Sequence, residues 1–207
     1  MDLIFLKTAF ITMFVALDPP GLIAIFLSLT AHMNEHDRKA TAYHAVMVAL
    51  AILVAAAFGG QATLGLLGIT VPAFRIAGGL LLFYIAFEMV FEKRAERKEQ
   101  KTEEIVEHDH PKNIAVFPLA IPMMAGPGAI TATILQADRA VGIVNEIGLV
   151  MILAAIIGIC LVCFLLATRL DRLLGNTGRI VLSRLLGLLL AALAIQIVGD
   201  GVMAFAR

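Results

Sequence analysis

Six apolar stretches, each long enough to cross a lipid bilayer as a helix, constrain this sequence more than any other feature. They run at roughly 3–31, 42–67, 73–91, 113–137, 147–168 and 185–206. A bilayer core takes about 20 residues of helix, and a backbone in hydrocarbon has to satisfy its own hydrogen bonds. Charge is confined to islands between the stretches, at 32–39, 92–112, 138–146 and 169–184. The chain is 60% apolar, with a mean hydropathy of +0.94, well above the roughly 45–50% of soluble domains. These features predict an all-α polytopic membrane protein, a single transmembrane domain over residues 1–207, with the lipid bilayer as its solvent.

The N-terminus opens with Asp2 instead of a basic region, and no small-residue cleavage site closes a short apolar core, so it reads as the first span and not as a signal peptide. A formal net charge of zero argues against nucleic acid as a partner. The lysines and arginines set the orientation. Arg38, Lys39, Lys93, Arg94, Arg97, Lys98, Lys101, Lys112, Arg169, Arg172, Arg179 and Arg184, twelve of the 16, fall in the first, third and fifth loops. Those loops are expected in the cytoplasm and both termini on the opposite, periplasmic side. Cys160 and Cys163 form a CxxC within an apolar span, where two small packing residues are expected and not a redox pair. His108 and His110, beside several carboxylates, lie in a charged run with nothing to close a metal geometry, so no metal site and no cofactor is expected.

The polar run 92–112 divides the sequence into similar halves, repeat one over 1–91 and repeat two over 113–207, with 92–112 as a cytoplasmic linker. "DPPG" at 18–21 opens one half and "AGPG" at 125–128 the other; "RIAGGLLL" at 75–82 is matched by "RLLGLLLA" at 184–191, at nearly the same spacing. Three spans per repeat is an odd number, so the second copy must insert upside down, the inverted-repeat plan of many secondary transporters.

Proline inside a helix removes a donor and clashes with the preceding turn. The first span is therefore expected to break at Asp18, Pro19, Pro20 and Gly21. The fourth is expected to break at Gly126, Pro127 and Gly128, with Pro118 and Pro122 loosening the approach. Such backbone is tolerated at membrane depth only where it is buried in protein or lines a wet cavity, and each break offers helix amides to an anionic group. Asp18 either caps those amides, binds a substrate ammonium or carries a proton, since an ionisable group inside a membrane is a functional candidate. Thr131, one turn past the second break, and Gln196, in mid-span, add polar groups. Glu88, near the end of the third span, is either an interfacial carboxylate or a second ion-coupling candidate. Gly78, Gly79 and Gly187 read as close-packing positions between helices, and small-xxx-small patterns fit packing within one chain or a homo-oligomer.

"DPPG" at 18–21, "GITVPAFRIAGGLLLFYIAFEM" at 68–89, "PLAIPMMAGPGAIT" at 118–131 and "RLLGLLLAALAIQ" at 184–196 resemble the MarC family of six-span bacterial inner-membrane proteins. Members often carry an Asn and a Pro just after the first break, where this chain has Leu22 and Ala24. Because related members are described as small neutral amino-acid transporters, the resemblance implies carriage of a glycine- or alanine-like substrate. The charge pattern of such a zwitterion suits amide ends plus a carboxylate. With no ATP-binding P-loop in the sequence, the expected driving force is a proton or sodium gradient. A passive channel for small solutes and a non-transporting assembly or regulatory subunit are the other readings. An enzyme is not expected, since neither a His-Glu-x-x-His nor a GxSxG motif occurs.

Overall fold

The computed structural model describes residues 3–91 and 114–206; the linker 92–112, with His108 and His110, lies outside them. Among the described residues there is no strand. The helices are α1 (Leu3–Leu17), α2 (Pro19–Leu29), α3 (Glu35–Leu66), α4 (Val71–Val90), α5 (Pro127–Arg139), α6 (Ile143–Leu165) and α7 (Ala167–Phe205). Ahead of α5 lies a wide-turned segment, Ala115–Met124, with extended backbone at Phe117 and Ile121. It forms where Pro118 and Pro122 each deny the ladder a donor. By length and apolar character there are five membrane spans, or six when this segment and α5, bent by 57°, count as one.

Local sequence sets the helix ends. Asn34 caps α3 by accepting from the Asp37 amide at 2.9 Å, and Thr70 caps α4, which has proline in its first turn. Between these helices Gly68 takes a left-handed conformation (φ 69°), which glycine adopts without a Cβ penalty. Ala42, Ala45 and Ala49 form a fully buried stripe on α3, spaced as one helix face. The opposite faces carry exposed large apolar residues such as Met47, Phe58, Leu188 and Met203, as a lipid-facing surface requires.

Two boundaries differ from the sequence expectation. The charged stretch 169–184, expected as a loop, is helical and belongs to α7, which turns at Gly175 (φ 61°). Leu170, Leu174 and Leu182 pack on the core from this stretch while Arg179 pairs with Asp171 across the turn, so an amphipathic pattern and a local ion pair outweigh the charge density. Asp138 and Arg139, expected in another loop, close α5.

Close-packed glycines set how α4 and α7 lie together. A methyl added at Gly79 would sit 2.7 Å from Val198, at Gly187 2.9 Å from Met89, and at Gly201 2.9 Å from Ile76. Residue numbers rise along one helix as they fall along the other, so α4 and α7 run antiparallel. The loop ends sort accordingly. Arg38 donates to the Thr168 hydroxyl at 3.2 Å at one end of the molecule. At the other, Arg75 pairs with Asp138 and Arg139 with Asp200 at 3.0 Å.

Candidate functional site

By length and direction Leu3–Leu29 counts as one span, without the sharp bend that precedes α5, and only the helical conformation of a single residue is interrupted in it. Asp18 is 3% exposed and is the one non-glycine with positive φ among the described residues (φ 56°, ψ 62°), a conformation that short polar side chains tolerate best. The Asp18 amide donates to Phe14 O at 3.0 Å, the last bond of α1, and its carbonyl accepts from Leu22 N at 3.1 Å, the first bond of α2. Its carboxylate Oδ1 accepts from Gly21 N at 3.2 Å. Pro19 and Pro20 have no N–H to satisfy. The four residues that open α2 therefore leave no orphan donor, although a helix start ordinarily leaves several. Glycine is required at position 21, because an added Cβ would lie 2.2 Å from Asp18 Oδ2.

The second interruption is built differently. Gly126 precedes α5 in extended conformation, Pro127 takes the first helical position, and no side chain among the described residues caps the turn. The amides of Gly128 and Ala129 thus have no side-chain acceptor, and the positive end of the helix dipole is uncompensated there. Glycine is again imposed by contact. A Cβ at Gly126 would meet Pro122 O at 2.3 Å, and one at Gly128 would meet Ile85 of α4 at the same distance. Thr131 is buried with its methyl directed at Gly78 of α4.

α1 and α5 meet at a buried hydroxyl. The Thr133 hydroxyl donates to Ala129 O at 2.7 Å and lies 3.7 Å from the Met13 sulfur, which places the two helices in contact. Beside these residues, Thr12 Oγ1 and Gln136 Oε1 are buried and without a hydrogen-bond partner among the described residues. Unpaired buried polar atoms cost about 1–3 kcal/mol each, so natural chains keep few of them without a reason. Gln136 is recognisable in sequence as an intramembrane amide sharing a helix face with Thr133; Thr12 carries no signal beyond a hydroxyl in an apolar run.

The other expected site residues lie elsewhere. Gln196 is exposed on α7 and donates to Asp200 at 2.9 Å, one turn on, so it belongs to the polar end of the bundle. Glu88 is 5% exposed, two residues before the end of α4 at Val90 and next to Met89, which meets Gly187. Cys160 and Cys163 are free thiols, one buried and one half-buried. One constellation escaped the sequence reading altogether. Gln61, Arg75 and Asp138, joined by a 3.3 Å bond from Gln61 Nε2 and the Arg75 ion pair, combine with Arg139, Asp200 and Gln196 to tie α3, α4, α5 and α7 together at one end. Arg75 is held in this layer by its ion pair with Asp138.

Residues 3–205 match the model of the MarC family, described as integral membrane proteins. The chain belongs to the MarC family. It is 38% identical over 193 residues to the UPF0056 membrane protein YhcE of Escherichia coli, a match covering 93% of this chain and 89% of that protein. It is 34% identical over 198 residues to a UPF0056 membrane protein of Archaeoglobus fulgidus, covering 95% and 92%. With the UPF0056 membrane protein YvbG of Bacillus subtilis the identity is 33% over 198 residues, covering 95% and 93%. No solved structure matches the chain. This MarC chain is thus an integral, multi-pass helical membrane protein whose relatives include bacterial ones.

Proposed function

We propose that this MarC chain is a secondary transporter of small neutral amino acids, coupled to a proton or sodium gradient. The observation that carries the reading is the unlike charge of the two interruptions. The first is self-capped and presents a buried carboxylate, Asp18; the second presents uncapped amides at Gly128 and Ala129. A zwitterion matches that pair, with its carboxylate on the amides that open α5 and its ammonium, or the coupling ion, toward Asp18. Gly21, Leu22 and the two prolines serve this arrangement by completing the cap of α2, since their backbone has no donor left for a substrate. Thr12 of α1 and Gln136 of α5, buried and unpaired among the described residues, support a polar interior that a substrate or coupling ion would use.

The antiparallel run of α4 against α7 supports an inverted-repeat origin, because it sets the Arg75–Gly78 stretch opposite in direction to its sequence match at Arg184–Gly187. In the inner membrane, with loops one, three and five cytoplasmic, the Arg75–Asp138 layer lies on the periplasmic side. In this reading the protein is a carrier and not an enzyme.

Asp18→Asn tests the mechanism. Asparagine tolerates the left-handed conformation and keeps a capping oxygen, so the variant is expected to fold as the parent does while losing coupled uptake. A fully active Asp18→Asn protein would remove the carboxylate from the mechanism.

A further inference from the structure

At the opposite end from the Arg75–Asp138 layer, a cavity of about 380 Å3 opens between α3, α6 and the start of α7, within the roughly 300–1,000 Å3 range of small-molecule sites. Arg38, Lys39 and Arg169 line it, with Glu35 as its one carboxylate. Glu35 is already held by Lys39 Nζ at 2.7 Å, which leaves the cavity cationic. The Arg38 guanidinium is fixed before any ligand arrives: it bonds the Thr168 hydroxyl across helices and lies 5.4 Å from the centre of the Phe26 ring. Arg169 has no side-chain partner among the described residues. α7 opens at Ala167 without a side-chain cap, so its dipole adds to the positive field. Below the charges, the stacked rings of Phe26 and Phe164, 4.5 Å apart, form an apolar floor.

The 23 residues of α6 span about 34 Å, close to the thickness of a bilayer core. Its end at Leu165 therefore places the cavity at headgroup depth. We infer that this cavity binds a phosphate-bearing anion at the membrane surface, either the headgroup of an anionic phospholipid or a free phosphate. Planar guanidinium groups suit phosphate oxygens, and basic pockets between spans at the cytoplasmic face recognise anionic lipids. The inference stands apart from the transport reading, since it uses none of the residues at the interruptions.

The test is thermal unfolding of the full chain in neutral detergent, followed with a thiol-reactive dye, during titration with phosphatidylglycerol, phosphatidylcholine or inorganic phosphate at constant ionic strength. Phosphatidylglycerol is expected to raise the melting temperature saturably where phosphatidylcholine does not. Arg169→Gln should raise the half-saturating concentration about tenfold, the loss of one charged hydrogen bond. Arg172→Gln, which does not line the cavity, should leave it unchanged. Arg38→Gln should weaken binding as well, but it also cuts the link to Thr168, so Arg169 is the deciding variant. Saturation by inorganic phosphate alone, with no further shift from the lipid, would support the site and identify a free phosphate as its occupant. Equal response to both lipids without any to phosphate, or equal losses in Arg169→Gln and Arg172→Gln, would overturn the inference.

Discussion

Replacing Gly21 with alanine isolates the cap that joins α1 to α2 at Asp18. The new Cβ would lie 2.2 Å from Asp18 Oδ2 and 2.7 Å from its Cγ, the latter roughly 1 Å inside ordinary carbon–carbon contact. The carboxylate must swing away, which breaks its 3.2 Å bond to the residue 21 amide. Loss of this cap, which leaves the half-buried amide of residue 21 unpaired, together with the steric displacement costs about 2–3 kcal/mol. Alanine's better helix propensity returns at most about 1 kcal/mol. A net destabilisation of about 2 kcal/mol is expected, which for a chain of this size lowers the melting temperature by roughly 4–8 °C. The chain has two cysteines, one of them fully buried, so a thiol-reactive fluorophore added to detergent-purified protein reports unfolding directly. Asp18→Asn, which keeps the cap, should melt within a degree or two of the parent. If Gly21→Ala melts with the parent, the carboxylate does not sit over the first turn of α2 and the self-capped interruption is wrong.

Gln136→Leu removes a buried oxygen that has no partner and is expected to hold or raise the melting temperature while abolishing uptake, a stability gain against function; a drop in stability would mean the amide is satisfied and structural. Gly60→Ala should cost about 1–3 kcal/mol, since its Cβ would meet Ile134 at 2.5 Å, whereas Gly59→Ala, with nothing within 4 Å, should be neutral or stabilising by up to about 1 kcal/mol; the same thiol assay on both separates them. Asp138→Asn leaves Arg75 half-buried without its carboxylate and should cost about 1–3 kcal/mol; a double-mutant cycle with Arg75→Gln should return a coupling above about 0.5 kcal/mol, and additive losses would show that the pair contributes nothing.

Much of this architecture was legible because its causes are local. Apolar runs of bilayer length mark the spans, and Asp18-Pro19-Pro20-Gly21 marks a local interruption at Asp18, while Leu3–Leu29 still counts as one span. The division of labour between the two interruptions was not legible. Both read as amide ends, with capping one of three readings of Asp18, and the geometry decides that Asp18 accepts from Gly21 in one while Gly126 leaves the other without a side-chain cap. The end layer was hidden for another reason. Arg75 and Asp138, like Arg139 and Asp200, lie some 60 residues apart in sequence, and no periodicity announces partners at that distance. Residues 169–184 misled because charge density suggests a loop, whereas leucines at helical spacing on one face of α7 decide in favour of helix.

Counterflow of labelled alanine and glycine into proteoliposomes tests the central claim most directly, run with and without an imposed proton or sodium gradient. A carrier with a zwitterion site between the two interruptions gives saturable exchange of at least one of them, enhanced by one gradient. No exchange of either by protein that shows cooperative unfolding, or flux that rises linearly with concentration and ignores both gradients, would contradict it.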